Sequence, residues 1–245
     1  MNWKERYADR ICTVSEAISN IHSGDRVMVA HACSEPVILT EALAAYGKEA
    51  NLKNVEIVHM VPMGTAEYCK PGMEEHFRHN GLFLGTSTKQ AVAEGRGDFT
   101  PVFYHEIPAL LREELRADVA LLQVSEPDEH GFCSFGLSND YTKPGAERAN
   151  IRIAQINKNQ PRTLGDNFIH ISELDYIVLM DTAMIQLPPP KIGDVQEEIG
   201  KNIASLVKDG DCLQLGIGAI PDAVLLFLKD KKELGLPRFQ ELAGR

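Results

Sequence analysis

Long apolar runs, clustered cysteines and basic patches are all missing from this 245-residue chain, and each absence closes off a class of protein. No uninterrupted apolar stretch approaches the roughly 18 residues that cross a bilayer. The amino terminus reads Met1-Asn2-Trp3-Lys4-Glu5-Arg6 with no apolar run behind it, so neither a membrane span nor a signal peptide is expected. The five cysteines (Cys12, Cys33, Cys69, Cys133 and Cys212) lack CxxC spacing and are odd in number. They read as reduced thiols, mostly packed as small hydrophobes, in keeping with a cytoplasmic protein. His59, His76, His79, His105 and His170 form no HExxH or other zinc arrangement. His76 and His79 are spaced to share one helical face, yet two side chains do not close a metal site, so no metal is expected. Lys and Arg number 25 against 35 Asp and Glu, a net charge of -10. Without a basic cluster, nucleic acid is not an expected partner.

What is present points to a layered α/β fold. Thr13-Val14-Ser15-Glu16 fits a capping box ahead of the apolar stripe Val14, Ala17, Ile18 and Ile21. Arg26 to Ala30 reads as a strand, and Ser34-Glu35-Pro36 opens a helix that runs out at Gly47. Further strands are expected at Val55 to Val61, Leu82 to Leu84, Asp118 to Val124 and Tyr176 to Met180, with helical periodicity from Ala146 to Asn157. The near-continuous apolar run Val119 to Val124 suits a strand covered on both faces of a mostly parallel sheet flanked by helices. The prolines Pro188, Pro189 and Pro190 cannot continue a helix or central strand. They divide an α/β domain at residues 1–187 from a linker at 188–193 and a second region at 194–245. That second region reads as helix, strand (Cys212 to Leu215), glycine turn and helix, the opening of a further α/β domain rather than a complete one.

Two stretches carry candidate chemistry. In Leu213-Gln214-Leu215-Gly216-Ile217-Gly218-Ala219-Ile220-Pro221, glycines sit between a strand candidate and a helix start. Backbone can approach a ligand closely there, and unpaired helix-start amides face an anion or a developing oxyanion. The alternative is a tight turn in which Gly216 and Gly218 only relieve crowding. The second stretch, Ser125 to Ser138, follows the most convincing buried strand, at the edge where open α/β sheets bind ligands. Glu126, Asp128 and Glu129 are candidate bases, and Ser134 is a further polar group that could line a cleft. His130 and Cys133 lack a third partner for catalysis or metal binding. Met60 to Gly64, with Met63 central, follows another strand candidate and reads equally as the border of a substrate pocket or as a buried strand end.

Four segments in order, TVSEAISNIHSGDRVMVAHACSEP, VSEPDEHGFCSFGLS, GDNFIHISELDYIV and DVQEEIGKNIASLVKDGDCLQLGIGAIPDAV, resemble the amino-terminal part of the acetyl-CoA hydrolase/transferase family. The resemblance runs over nearly all of the first 235 residues. It implies a CoA-transferase-like fold of two similar α/β domains with a cleft between them, in a homodimer or higher homo-oligomer, of which this chain resembles the first domain and the start of the second. It further implies ping-pong movement of CoA between a short-chain acyl-CoA, such as butyryl-CoA or 4-hydroxybutyryl-CoA, and acetate through a glutamyl-CoA intermediate. Coenzyme A is then a substrate held by Gln214, Gly216, Ile217, Gly218, Ala219 and Ile220, with Met63, Glu126, His130 and Ser134 lining the cleft. The family's glutamate position falls at Phe239, and Glu241 stands two residues later, so the nucleophile is unassigned in this chain. Hydrolysis of the same intermediates, a noncatalytic CoA-binding or assembly subunit, and a sugar-phosphate isomerase-like domain are the alternatives.

Overall fold

Seven strands run parallel because the segments that join them cross back over a face of the sheet. They are β1 (Arg26–Val29), β2 (Val55–His59), β3 (Phe77–Gly81), β4 (Gly97–Phe99), β5 (Val119–Val124), β7 (Ile151–Ile156) and β9 (Tyr176–Leu179), in the order β4-β3-β2-β1-β5-β7-β9. The pair β6 (Phe132–Ser134) and β8 (Phe168–His170) forms a small antiparallel sheet. The computed structural model describes residues 3–235. Its chain divides into two compact units between Ile185 and Gln186.

Alternation along the strands sorts the core into two layers. Val119 and Leu121 of β5 join Val27, Ile57 and Ile153 on one face, with Ile18 and Leu43 from helices Val14–Ile18 and Val37–Glu49. Ala120 and Leu122 join Met28, Val58 and Ile177 on the other face, with Leu111 and Ala146 from helices Ile107–Glu113 and Thr142–Arg148. Burial on both sides is why β5 reads as an unbroken apolar run. The Thr13 capping box is present, with Thr13 Oγ1 accepting the Glu16 N–H at 3.2 Å and Glu16 accepting the Thr13 N–H at 2.8 Å. Helix Val37–Glu49 continues past Gly47, where a Cβ would lie 2.2 Å from the Phe77 ring. Glycine there lets helix and strand touch.

Several local expectations are corrected. Residues Ala146 to Asn157 are not one helix: the helix ends at Arg148 and β7 begins at Ile151. A buried β-branched strand and a helix end joined in one window mimic helical spacing. The strand near Leu82 is Phe77–Gly81, one element earlier, so His79 lies on a strand and shares no helical face with His76. Its polar sequence hid it, because Arg78 hydrogen-bonds Asp98 on β4 and Asn80 hydrogen-bonds Glu56 on β2.

In the second unit, helices Asp194–Leu206 and Ala219–Leu226 meet where Gly200 faces the Ala223 backbone. Their small core is Ala204, Val207, Val224 and Leu228. The expected strand Cys212 to Leu215 reduces to a single parallel bridge, Cys212 to Gly235. One bridge leaves no ladder to extend it. Among the described residues no helix is long and apolar enough to cross a membrane.

Candidate active site

The strand order reverses direction between β1 and β5, and in open parallel sheets the crevice beyond the carboxyl ends at that reversal is where ligands bind. The chain leaving β1 places His31, Ser34 and Glu35 there, all three buried. Ala32 adopts φ +53, a left-handed conformation that costs a residue with a Cβ about 1 kcal/mol or more. It is held in that state by its N–H, which donates to the Val61 carbonyl at 3.0 Å, tying the β1 loop to the β2 loop.

A chain of hydrogen bonds starts at His31. Its Nε2 lies 2.8 Å from an Asp140 oxygen, and its ring packs over Tyr141 at 4.7 Å between centroids. Asp140 also accepts from the Tyr104 hydroxyl and from the Tyr141 N–H at 2.7 Å. Burial pushes the Asp140 carboxyl up, but the bonds from His31, Tyr104 and Tyr141 outweigh it and hold it below the usual aspartate range. Burial, with Asp140 beside it, pushes the Tyr104 hydroxyl up, so it stays a proton donor. Glu35 completes the cluster. Its Oε2 accepts the Met63 and Gly64 N–H groups at 2.6 and 2.8 Å. Burial raises the Glu35 carboxyl above its ordinary value despite those two bonds.

Side-chain amides brace the floor beneath this cluster. Gln123 donates to the Glu35 carbonyl at 3.3 Å, and Asn157 donates to Gln123 at 2.7 Å and to the Thr182 carbonyl at 3.0 Å. Gln160 donates to Ser34 at 2.7 Å. The ends of β1, β5, β7 and β9 are therefore cross-linked by buried amides, which hold the strand ends in one geometry. Against that bracing, His31 Nδ1 and Glu35 Oε1 are buried without a protein partner. Buried polar atoms left open in this way call for a ligand or ordered water.

Beside Tyr104 lies a cavity of about 250 Å³ lined by Met60, Val61, Leu82, Phe83, Val102, Tyr104 and Ile107. Among the described residues no group of three His, Cys, Asp or Glu side chains is arranged to hold a metal ion.

Of the cleft residues expected from sequence, Met63 sits in this cluster through its amide. Glu126 and His130 lie exposed on the loop after β5. Ser134 is fully buried, donating to the Thr163 carbonyl at 3.1 Å and accepting the Gly136 N–H at 3.0 Å, so its hydroxyl is engaged in holding that loop. In the second unit Gln214, Gly216, Ile217 and Ile220 are exposed, Ile217 at 94%. Gly218 has φ +136, open to glycine alone, and caps helix Ala219–Leu226. A Cβ at Gly216 would meet nothing within 4 Å, so crowding does not account for that glycine. Phe239 and Glu241 lie outside the described residues. Sequence reasoning missed His31, Glu35, Tyr104 and Asp140. The available signal was polar residues directly after the apolar strand Arg26–Val29.

The model of the acetyl-CoA hydrolase/transferase N-terminal domain matches residues 1–188. A 4-hydroxybutyrate coenzyme A transferase of Clostridium kluyveri is 57% identical over 237 residues, covering 96% of this chain and 55% of the relative. A butyryl-CoA:acetate CoA-transferase of Anaerostipes caccae is 33% identical, covering 96% of this chain and 54% of the relative. Among solved structures, RipA from Yersinia pestis superposes with a TM-score of 0.91 at 29% identity, over 96% of this chain and 57% of that one. A 4-hydroxybutyrate CoA-transferase from Porphyromonas gingivalis gives 0.80 at 39% identity, over 95% and 55%. The chain spans about half the length of these relatives. With the parallel sheet and the family domain covering its first unit, the chain belongs to the acetyl-CoA hydrolase/transferase family.

Proposed function

We propose that this chain belongs to a cytoplasmic, homo-oligomeric CoA-transferase that moves CoA between a short-chain acyl-CoA, 4-hydroxybutyryl-CoA or butyryl-CoA, and acetate. The carrying observation is the hydrogen-bonded chain from buried His31 through Asp140 to Tyr104 at the strand-order reversal, together with the open polar atoms His31 Nδ1 and Glu35 Oε1 and the small apolar cavity beside Tyr104. A cavity of that size takes a short acyl chain, not a whole nucleotide.

In the proposed reaction a glutamate carboxylate attacks the thioester carbonyl and expels CoA thiolate, leaving an acyl-glutamyl anhydride. The thiolate attacks the glutamyl carbonyl of that anhydride, giving a glutamyl-CoA thioester and releasing the acyl carboxylate. Acetate then runs the sequence in reverse to give acetyl-CoA. Each tetrahedral oxyanion needs a donor already in place, the role proposed for the amides at Gly216 to Ile220, with Gln214 beside them. Water must be kept from the anhydride and thioester, or transfer becomes hydrolysis. The nucleophile itself is unassigned, since the matching position is Phe239 and Glu241 stands two residues on.

The test is to incubate the protein with butyryl-CoA and acetate and resolve the CoA species chromatographically. Acetyl-CoA formed in proportion to protein, and lost in Glu241→Gln, supports transfer with Glu241 as nucleophile. Free CoA without acetyl-CoA means hydrolysis. Saturable butyryl-CoA binding with neither product means a noncatalytic CoA-binding subunit. A folded protein that binds no acyl-CoA rejects the proposal.

A further inference from the structure

The geometry points to Tyr104 as the residue that selects the far end of the acyl chain, favouring a terminal hydroxyl and refusing a terminal carboxylate. This rests on the CoA-transfer reading above. The cavity beside Tyr104 is walled by Met60, Val61, Leu82, Phe83, Val102 and Ile107, all without a charge, and Tyr104 supplies the one polar side chain among the lining residues. Its single hydroxyl proton is committed to Asp140, and Asp140 is fixed in turn by His31 and the Tyr141 amide. The phenolic oxygen therefore has acceptor capacity to spare and no proton to give.

An acceptor of that kind pairs with a group that brings its own hydrogen. A hydroxyl at the end of a short acyl chain does so. A chain ending in methyl loses only that bond and brings no charge to the cavity. A carboxylate end is excluded more strongly. It would bring a negative charge to an apolar wall behind whose one polar group, Tyr104, stands the Asp140 carboxylate, it has no proton at neutral pH, and no cationic side chain lines the cavity. The cavity thus ranks chain ends as hydroxyl, then methyl, then carboxylate.

The experiment is calorimetric competition among 4-hydroxybutyryl-CoA, butyryl-CoA and succinyl-CoA on the wild-type chain and on Tyr104→Phe. Methyl NMR of Met60, assigned with Met60→Leu, reports independently on whether the cavity is filled. For the wild type, 4-hydroxybutyryl-CoA is expected to bind about fivefold more tightly than butyryl-CoA, the worth of one exposed hydrogen bond. Succinyl-CoA is expected to bind more than about tenfold more weakly than butyryl-CoA. In Tyr104→Phe the hydroxyl-to-methyl ratio is expected to fall to about one. A ratio that survives in Tyr104→Phe overturns the assignment, as does succinyl-CoA binding on a par with butyryl-CoA. Acyl-CoA binding that leaves the Met60 methyl unmoved also overturns it while sparing the CoA-transfer reading. If no acyl-CoA binds to the folded chain, both fall together.

Discussion

The two units of this chain present their candidate chemistry in opposite ways. In the first, His31, Glu35 and Asp140 are side chains held in a braced interior, each with at least one bond to another loop. In the second, the candidate is backbone: Gly216 to Gly218 stands open, with Ile217 almost wholly exposed and no atom near a Cβ at Gly216. The first arrangement spends folding stability on fixing polar groups in low dielectric, where hydrogen bonds count for more. The second leaves backbone open to a ligand. A substitution in the first region should therefore show in stability, and one in the second chiefly in binding.

The largest effect is expected at Leu121, fully buried in β5 between β1 and β7. Leu121→Ala should cost about 2–5 kcal/mol in urea unfolding, whereas Ile217→Ala should stay within about 0.5 kcal/mol. Equal losses would erase the contrast.

The glycines sharpen it next. Gly47→Ala drives a methyl into the Phe77 ring, 2.2 Å from its nearest atom, and should cost about 1–3 kcal/mol. Gly216→Ala meets no neighbour and should leave the melting temperature unchanged. If this glycine admits CoA, the same change should weaken acyl-CoA binding in a titration.

A pH effect of intermediate size belongs to the first unit alone. His59 and His79 are fully buried beside Tyr68. Burial pushes both imidazoles down, His59 well below its ordinary value and His79 to about 4. A lowered imidazole binds fewer protons folded than unfolded. Stability should thus be full above about pH 6.5 and fall on acidification towards the folded value, near pH 4 for His79. The slope is at most about 1.4 kcal/mol per pH unit for each histidine. Denaturant midpoints measured from pH 7 to pH 5 check it, with His79→Phe expected to flatten the slope. A slope unchanged by that substitution would contradict the assignment. The smallest effect is expected at the exposed Lys53–Glu75 pair, where Lys53→Ala should change stability by less than about 1 kcal/mol.

Most of the sheet was legible because its strands follow simple rules. Val119–Val124 and Arg26–Val29 are apolar runs bounded by polar turns, and Thr13 with Glu16 is a local cap that depends on neither sheet nor partner. β3 was hidden because its polar residues are matched across strands, which a single window does not contain. The site was hidden for the same reason. His31 meets Asp140 across 109 residues of chain, and Asp140 meets Tyr104 across 36, so only the fold makes them neighbours. The loop after β5 drew attention through its density of polar groups, yet Ser134 there serves the loop's own hydrogen bonding. The glycine turn was legible as a local pattern, and its openness is what the structure adds.

The most direct test of whether acyl-CoA engages the side-chain cluster beyond β1 is calorimetric titration of butyryl-CoA into the wild-type chain and into His31→Gln. Saturable binding by the wild type is expected, with a loss of about tenfold or more in the variant, which keeps a group in reach of Asp140 but removes the open, buried Nδ1. Near-equal affinity in two equally folded proteins would contradict it and leave the glycine turn as the sole candidate.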